Sequence, residues 1–172
     1  QIAINFASIT FMIPLGLSMA ITVRVGQAIG RASPGEGRRS AFVGLVLALA
    51  FMATSATTML LFPEFIVGIY TDDPAVRRIA MDLLLMAAIF QISDGAQVAG
   101  AGALRGLKDT TVPMIITLVA YWGLGLPVGY NLGIVRSMGP QAIWIGLIAG
   151  LTVAAVFLNS RFYWVTRSVK ER

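Results

Sequence analysis

Five stretches of this chain, residues 3–23, 40–63, 79–104, 110–135 and 137–160, are apolar over a length that a membrane imposes. A helix needs about 20 predominantly apolar residues to cross the hydrocarbon core. In lipid the backbone must satisfy its own polar groups, so runs of this kind fold as helices. The sequence therefore predicts an all-α membrane protein with five spans. The breaks between them are too short for a soluble domain, and no internal repeat or low-complexity tract stands out. Charged residues make up 12% of the 172, against about 25% in soluble domains. The net charge of +5 does not indicate nucleic acid, because the basic residues fall in the breaks and form no basic face. The chain starts at Gln1 and is apolar from Ile2 onward, which reads as the C-terminal piece of a longer protein, cut near the start of a helix.

Enzymatic chemistry is poorly supplied. There is no Cys and no His, so disulfides, His metal sites and Ser-His-Asp triads are excluded. A carboxylate pair is also missing: Asp82 lies twelve residues before Asp94, about 18 Å along a helix. The expectation is a protein that is not an enzyme and has no cofactor beyond a transported ion.

Positive charge sets the orientation. Arg24, Arg31, Arg38, Arg39, Arg105, Lys108, Arg161, Arg167, Lys170 and Arg172 fall on one side, and Arg77, Arg78 and Arg136 on the other. The first side is expected to be cytoplasmic, with the C-terminus, so the first helix runs inward. Tyr70, Tyr130 and Trp144 then fall near the outer interface, and Tyr163 and Trp164 near the inner one, as in an aromatic belt. The loop from Arg31 to Arg39 reads as an anchor near anionic lipid. Thr71-Asp72-Asp73-Pro74 predicts a capped helix start, with Asp at the cap and Pro at the first helical position.

Asp94 is the one charge at the middle of a span. A carboxylate there costs roughly 2.5–3.5 kcal/mol on insertion scales, and such residues usually serve an ion, a proton or a cationic substrate. Gln91 and Gln97 stand three residues to either side, within about 60° of it on a helix. The three form a candidate ion-coupling group: oxygen ligands suit sodium, and a desolvated carboxyl suits a proton. The alternative is a polar seam between helices, worth about 0.6–2 kcal/mol per bond. Gly95, Ala99 and Gly102 form a small-residue stripe for close helix packing. Pro14 and Pro127 are candidate kinks and hinges. Tyr121 and Trp122 fall mid-span, where aromatic faces attract an organic cation if they line a cavity. Met12 and Met19 share a face of the first helix and suit an adaptable apolar site, although packing comes first as the reading of both.

Several stretches in order resemble the MATE family, the multidrug and toxic-compound extrusion antiporters, and most closely its NorM-type bacterial branch. They are Val23-Arg-Val-Gly-Gln-Ala-Ile-Gly30, Ile92-Ser-Asp-Gly-Ala-Gln97, Ala103-Leu-Arg-Gly-Leu-Lys-Asp109 and Tyr121-Trp-Gly-Leu-Gly-Leu-Pro-Val-Gly-Tyr130. The resemblance implies a twelve-helix protein of two six-helix lobes, with this chain matching the eighth to twelfth helices. It implies export of hydrophobic or cationic drugs and xenobiotics driven by inward sodium or proton flow, in a bacterial cytoplasmic membrane. Asp94 matches the C-lobe cation-site aspartate, and its partner carboxylate belongs to the seventh helix. The remaining partners would be the N-terminal lobe and that helix. Two rivals stay open. A lipid-linked precursor flippase of the same superfamily needs a large basic cavity, and the spans hold no Lys or Arg at mid-depth. A non-transporting membrane structural subunit would leave Asp94 without a transport role.

Overall fold

The computed structural model describes residues 2–137 and 139–168, with side chains of 140 and 168 excepted. Lys170 and Arg172, placed on the cytoplasmic side above, lie outside the described residues.

The first span is one helix, α1 (Ile2–Gly30), which contains the buried Pro14. A three-residue turn with Ala32 at φ 54° reverses the chain into α2 (Pro34–Leu61). A short helix, α3 (Pro63–Gly68), follows. It buries Ile66 and Val67 and leaves Phe65 exposed. The third span, α4 (Pro74–Gly106), starts where the sequence signals it. Asp73 caps it: a carboxylate oxygen accepts the Ala75 N–H at 2.9 Å and the Val76 N–H at 3.5 Å, two donors that a helix start leaves unpaired. The last span is α7 (Pro140–Ser168). The helices α1 and α4 outrun their apolar runs at both ends, α2 begins six residues before its run, and the fourth span, Thr111–Val135, matches its run almost residue for residue.

The fourth span is not a uniform helix. It consists of α5 (Thr111–Val119), a π-helical stretch over Ala120–Gly125, α6 (Leu126–Tyr130) and a second π-helical stretch over Asn131–Val135. The cause is in the sequence. Pro127 has no N–H and its ring crowds the carbonyl four residues back. The chain widens by one residue ahead of it, and the Leu126 N–H reaches the Tyr121 carbonyl, five residues earlier.

The helix α4 is the hub, packed on α1, α2 and α7, while the fourth span leans on α7. Two apolar clusters fill the lobe. One gathers Met59, Val67, Leu84, Ala87 and Trp144; the other gathers Ile21, Val25, Leu104, Leu158 and Phe162. Small residues set the helix spacing. A Cβ on Gly102 would lie 2.5 Å from Ser18 Oγ and 2.6 Å from its carbonyl oxygen, so α1 touches α4 at the backbone. The stripe of Gly95, Ala99 and Gly102 is buried, as the sequence suggests, but it serves two neighbours: Gly95 abuts Met52 of α2 and Gly102 abuts α1.

Trp144 departs from the belt reading. It is 9% exposed, and its ring meets Phe90 edge-on with centroids 5.6 Å apart. Phe90 stands opposite on α4, and the edge-to-face contact of the two rings inside the lobe outweighs the interfacial position. Tyr70, Tyr130, Tyr163 and Trp164 are exposed.

Candidate functional site: an open face along helix α4

Asp94 lines a groove of about 510 Å³ between α1, α4 and α7. Ser8, Phe11 and Met12 come from α1, Phe90 and Asp94 from α4, and Ile143, Trp144 and Leu147 from α7. The carboxylate makes no hydrogen bond or ion pair among the described residues.

A second groove, of about 550 Å³, continues toward the other end of α4. Ala101 and Arg105 of α4 line it, together with Met114, Tyr121 and Trp122 of the fourth span. Phe90, Asp94, Ala101 and Arg105 are spaced four, seven and four residues apart, which puts them on one helical face. The two grooves therefore follow the same open side of the lobe.

Of the expected trio, the structure keeps Asp94 on this side and turns Gln91 away. Gln91 is 1% exposed. Its Nε2 donates to Thr10 Oγ1 at 2.8 Å and to Met59 Sδ at 3.6 Å, so a 60° offset suffices to put it inside the α1–α2–α4 junction. Its Oε1 is buried without a hydrogen-bond partner, a costly state that is rarely left unexplained. Gln97 is half-buried and makes no hydrogen bond among the described residues. Met12 joins the Asp94 groove. Met19 is 59% exposed and lines neither groove. Among the described residues no group of three or more His, Cys, Asp or Glu converges. A cation here would have one carboxylate and neutral oxygens.

Sequence reasoning missed a set of polar ties that hold this face in place. Ser18 Oγ donates to the Val98 carbonyl at 2.8 Å, and Thr22 Oγ1 donates to the Gly102 carbonyl at 2.8 Å. Arg105 reaches back so that its Nη2 donates to Ser18 Oγ at 3.1 Å. Asn159 Nδ2 donates to the Ala96 carbonyl at 2.9 Å, and Ser93 and Thr152 share a hydroxyl bond of 2.8 Å. Arg161 Nε donates to Asp109 Oδ2 at 2.7 Å. Ser93, Arg105 and Asp109 stand in the motifs quoted above, and Asn159 is legible as an uncommon amide in an apolar run, but none of their partners is.

The chain belongs to the MatE family, whose profile matches residues 1–131. It is 52% identical over 167 residues to a probable multidrug resistance protein NorM of Xanthomonas axonopodis pv. citri (strain 306), covering 97% of this chain and 36% of that protein. It is 51% identical over 165 residues to the multidrug resistance protein PmpM of Pseudomonas aeruginosa, covering 94% and 35%. The chain thus spans a little over a third of the curated relatives it matches. The fold agrees with a MATE structure solved in complex with MaL6 (TM-score 0.90, 16% identity, 99% of this chain and 39% of that one). It also agrees with the eukaryotic MATE transporter AtDTX14 (TM-score 0.81, 21% identity, 99% and 39%). Five membrane-length helices in this arrangement are part of one lobe of such a fold.

Proposed function

We propose that this chain is the greater part of the C-terminal lobe of a secondary active transporter that exports hydrophobic or cationic drugs and xenobiotics in exchange for sodium or protons. The carrying observation is Asp94: a carboxylate in an apolar, aromatic-rich groove, with no hydrogen bond or ion pair among the described residues to hold it as structural glue. Several homologues bear multidrug-resistance names, and that supports drugs as cargo. Asp94 takes the coupling ion, and the amide of Gln97 assists with a neutral oxygen. Binding the ion shifts the balance between outward- and inward-open states by its difference in affinity for the two. Tyr121, Trp122 and Met12 offer the cargo aromatic and thioether contacts. The rest of the protein, with the N-terminal lobe and the seventh helix, completes the cavity. The orientation is that of the charge bias, in a bacterial cytoplasmic membrane with a cytoplasmic C-terminus.

The test is efflux of a fluorescent organic cation by the full-length parent in vesicles with an imposed sodium or proton gradient. Efflux is expected to follow one gradient in the wild type and to vanish in Asp94→Asn. Unchanged efflux in the variant would remove Asp94 from coupling.

One observation favours the flippase reading: Arg105 extends to Ser18, so this face carries one cation. A single guanidinium is less than a phosphate-bearing headgroup requires. Headgroup-dependent translocation with no response to the organic cation would reverse the ranking.

A further inference from the structure

On the opposite side of α1 from Asp94 a second kind of groove opens, about 650 Å³ in volume, between the inner ends of α1 and α2. Its rim carries Arg24, Arg31 and Arg39 with one carboxylate, Glu36. Arg31 Nη2 pairs with Glu36 Oε2 at 3.1 Å, which leaves Arg31 other donors. Arg24 and Arg39 are exposed and form no ion pair among the described residues. Gln27 and Ser40 add uncharged polar groups. The rim thus has an excess of two positive charges.

Below the rim the lining turns apolar. Leu17 and Ile21 of α1 and Val43 and Leu47 of α2 run toward the interior of the membrane. Val43 is 47% and Leu47 51% exposed. The floor is closed: a Cβ on Gly44 would collide with Ile21 Cγ1, so the two helices meet there. A cationic rim above an exposed apolar trough matches a molecule with an anionic head and hydrocarbon tails. Basic pockets between spanning helices on the cytoplasmic side bind such headgroups.

We propose that the α1–α2 groove is a binding site for an anionic phospholipid of the cytoplasmic leaflet, its phosphate held by Arg24 and Arg39 and its acyl chains lying along Val43 and Leu47. The site is separate from the Asp94 face and does not depend on the transport reading. It ties the α1–α2 hairpin to the inner leaflet at a fixed depth.

Native mass spectrometry of the full-length parent in an equimolar mixture of dioleoylphosphatidylglycerol and dioleoylphosphatidylcholine tests it. Preferential retention of phosphatidylglycerol is expected. Replacing Arg24→Gln and Arg39→Gln should weaken that retention by about fivefold for each arginine. Arg24→Lys and Arg39→Lys should keep most of it, and Arg78→Gln, on the other side of the membrane, should leave it unchanged. Soluble glycerol phosphate should not displace the lipid. Equal retention of the two lipids, full retention in the double Gln variant, or displacement by glycerol phosphate would each overturn the proposal. So would a photo-crosslinker at Val43 that captures another segment of the parent in place of lipid.

Discussion

Gly146 of α7 faces Gly129 of the fourth span so closely that a Cβ on Gly146 would lie 2.6 Å from the Gly129 nitrogen and 2.7 Å from its Cα. The carbonyl of Gly125 would be nearer still, at 2.5 Å. Backbone meets backbone there, and no side chain can move aside. Gly146→Ala is expected to destabilise the protein by about 1–3 kcal/mol, the usual range for overpacking. Gly146→Val should do more harm. At Gly123 an added Cβ would meet only Val119 Cγ1, at 3.7 Å, so Gly123→Ala should be mild. Melting temperatures of the purified parent in detergent check the contrast, and equal effects at 123 and 146 would contradict the close approach.

Arg161 and Asp109 tie α7 to the turn after α4. Their side chains are 28% and 18% exposed and meet at 2.7 Å. A hydrogen bond between charged groups that are partly withdrawn from water is worth about 1.5–3 kcal/mol. Arg161→Ala and Asp109→Ala should each destabilise the protein, and the double variant should cost less than their sum. A double-mutant cycle on chemical unfolding reads this directly. A coupling energy near zero would mean that the pair adds nothing.

Gln91 separates two roles on one side chain. Its amide nitrogen is engaged by Thr10 and Met59, while its oxygen has no partner. Gln91→Leu removes the bond and the orphaned oxygen together at similar volume, so stability should change by no more than about 1 kcal/mol. If the oxygen serves the coupling ion, the ion concentration for half-maximal efflux should rise several-fold. A fall in melting temperature with unchanged ion dependence would make Gln91 a seam between helices and nothing more.

Pro127 sits between two π-helical stretches in the fourth span. Pro127→Ala restores an N–H and removes the ring clash, so residues 120–135 should tighten toward a regular α-helix. Amide hydrogen exchange over that segment is expected to slow, and efflux turnover to fall if the loosened helix bends during the cycle. Slower exchange with unchanged turnover would leave Pro127 as a static kink. Pro14 is the contrasting case, because α1 runs through it as one helix.

The class of fold is legible in the order of the residues. Runs of 20 or more apolar residues admit few alternatives to spanning helices, and the Asp73–Pro74 cap is a local signal with a local cause. The same order also picked out Asp94, because a charge among apolar neighbours is visible without any knowledge of packing. The family could be read from motif order for a similar reason. Tertiary structure alone decided which way each polar group turns. Gln91 and Asp94 are a few ångströms apart along one helix, yet one enters the α1–α2 junction and the other an open groove. Periodicity gives an angle, and the neighbour at that angle belongs to a distant part of the chain. The same holds for Trp144, drawn inward by Phe90, and for Ser18, Thr22 and Asn159, whose partners are backbone carbonyls on another helix. The Val98 and Gly102 carbonyls are within reach of α1 because Gly102, facing Ser18, has no side chain to hold the helices apart, and Gly100 leaves the same room for Asn159 of α7.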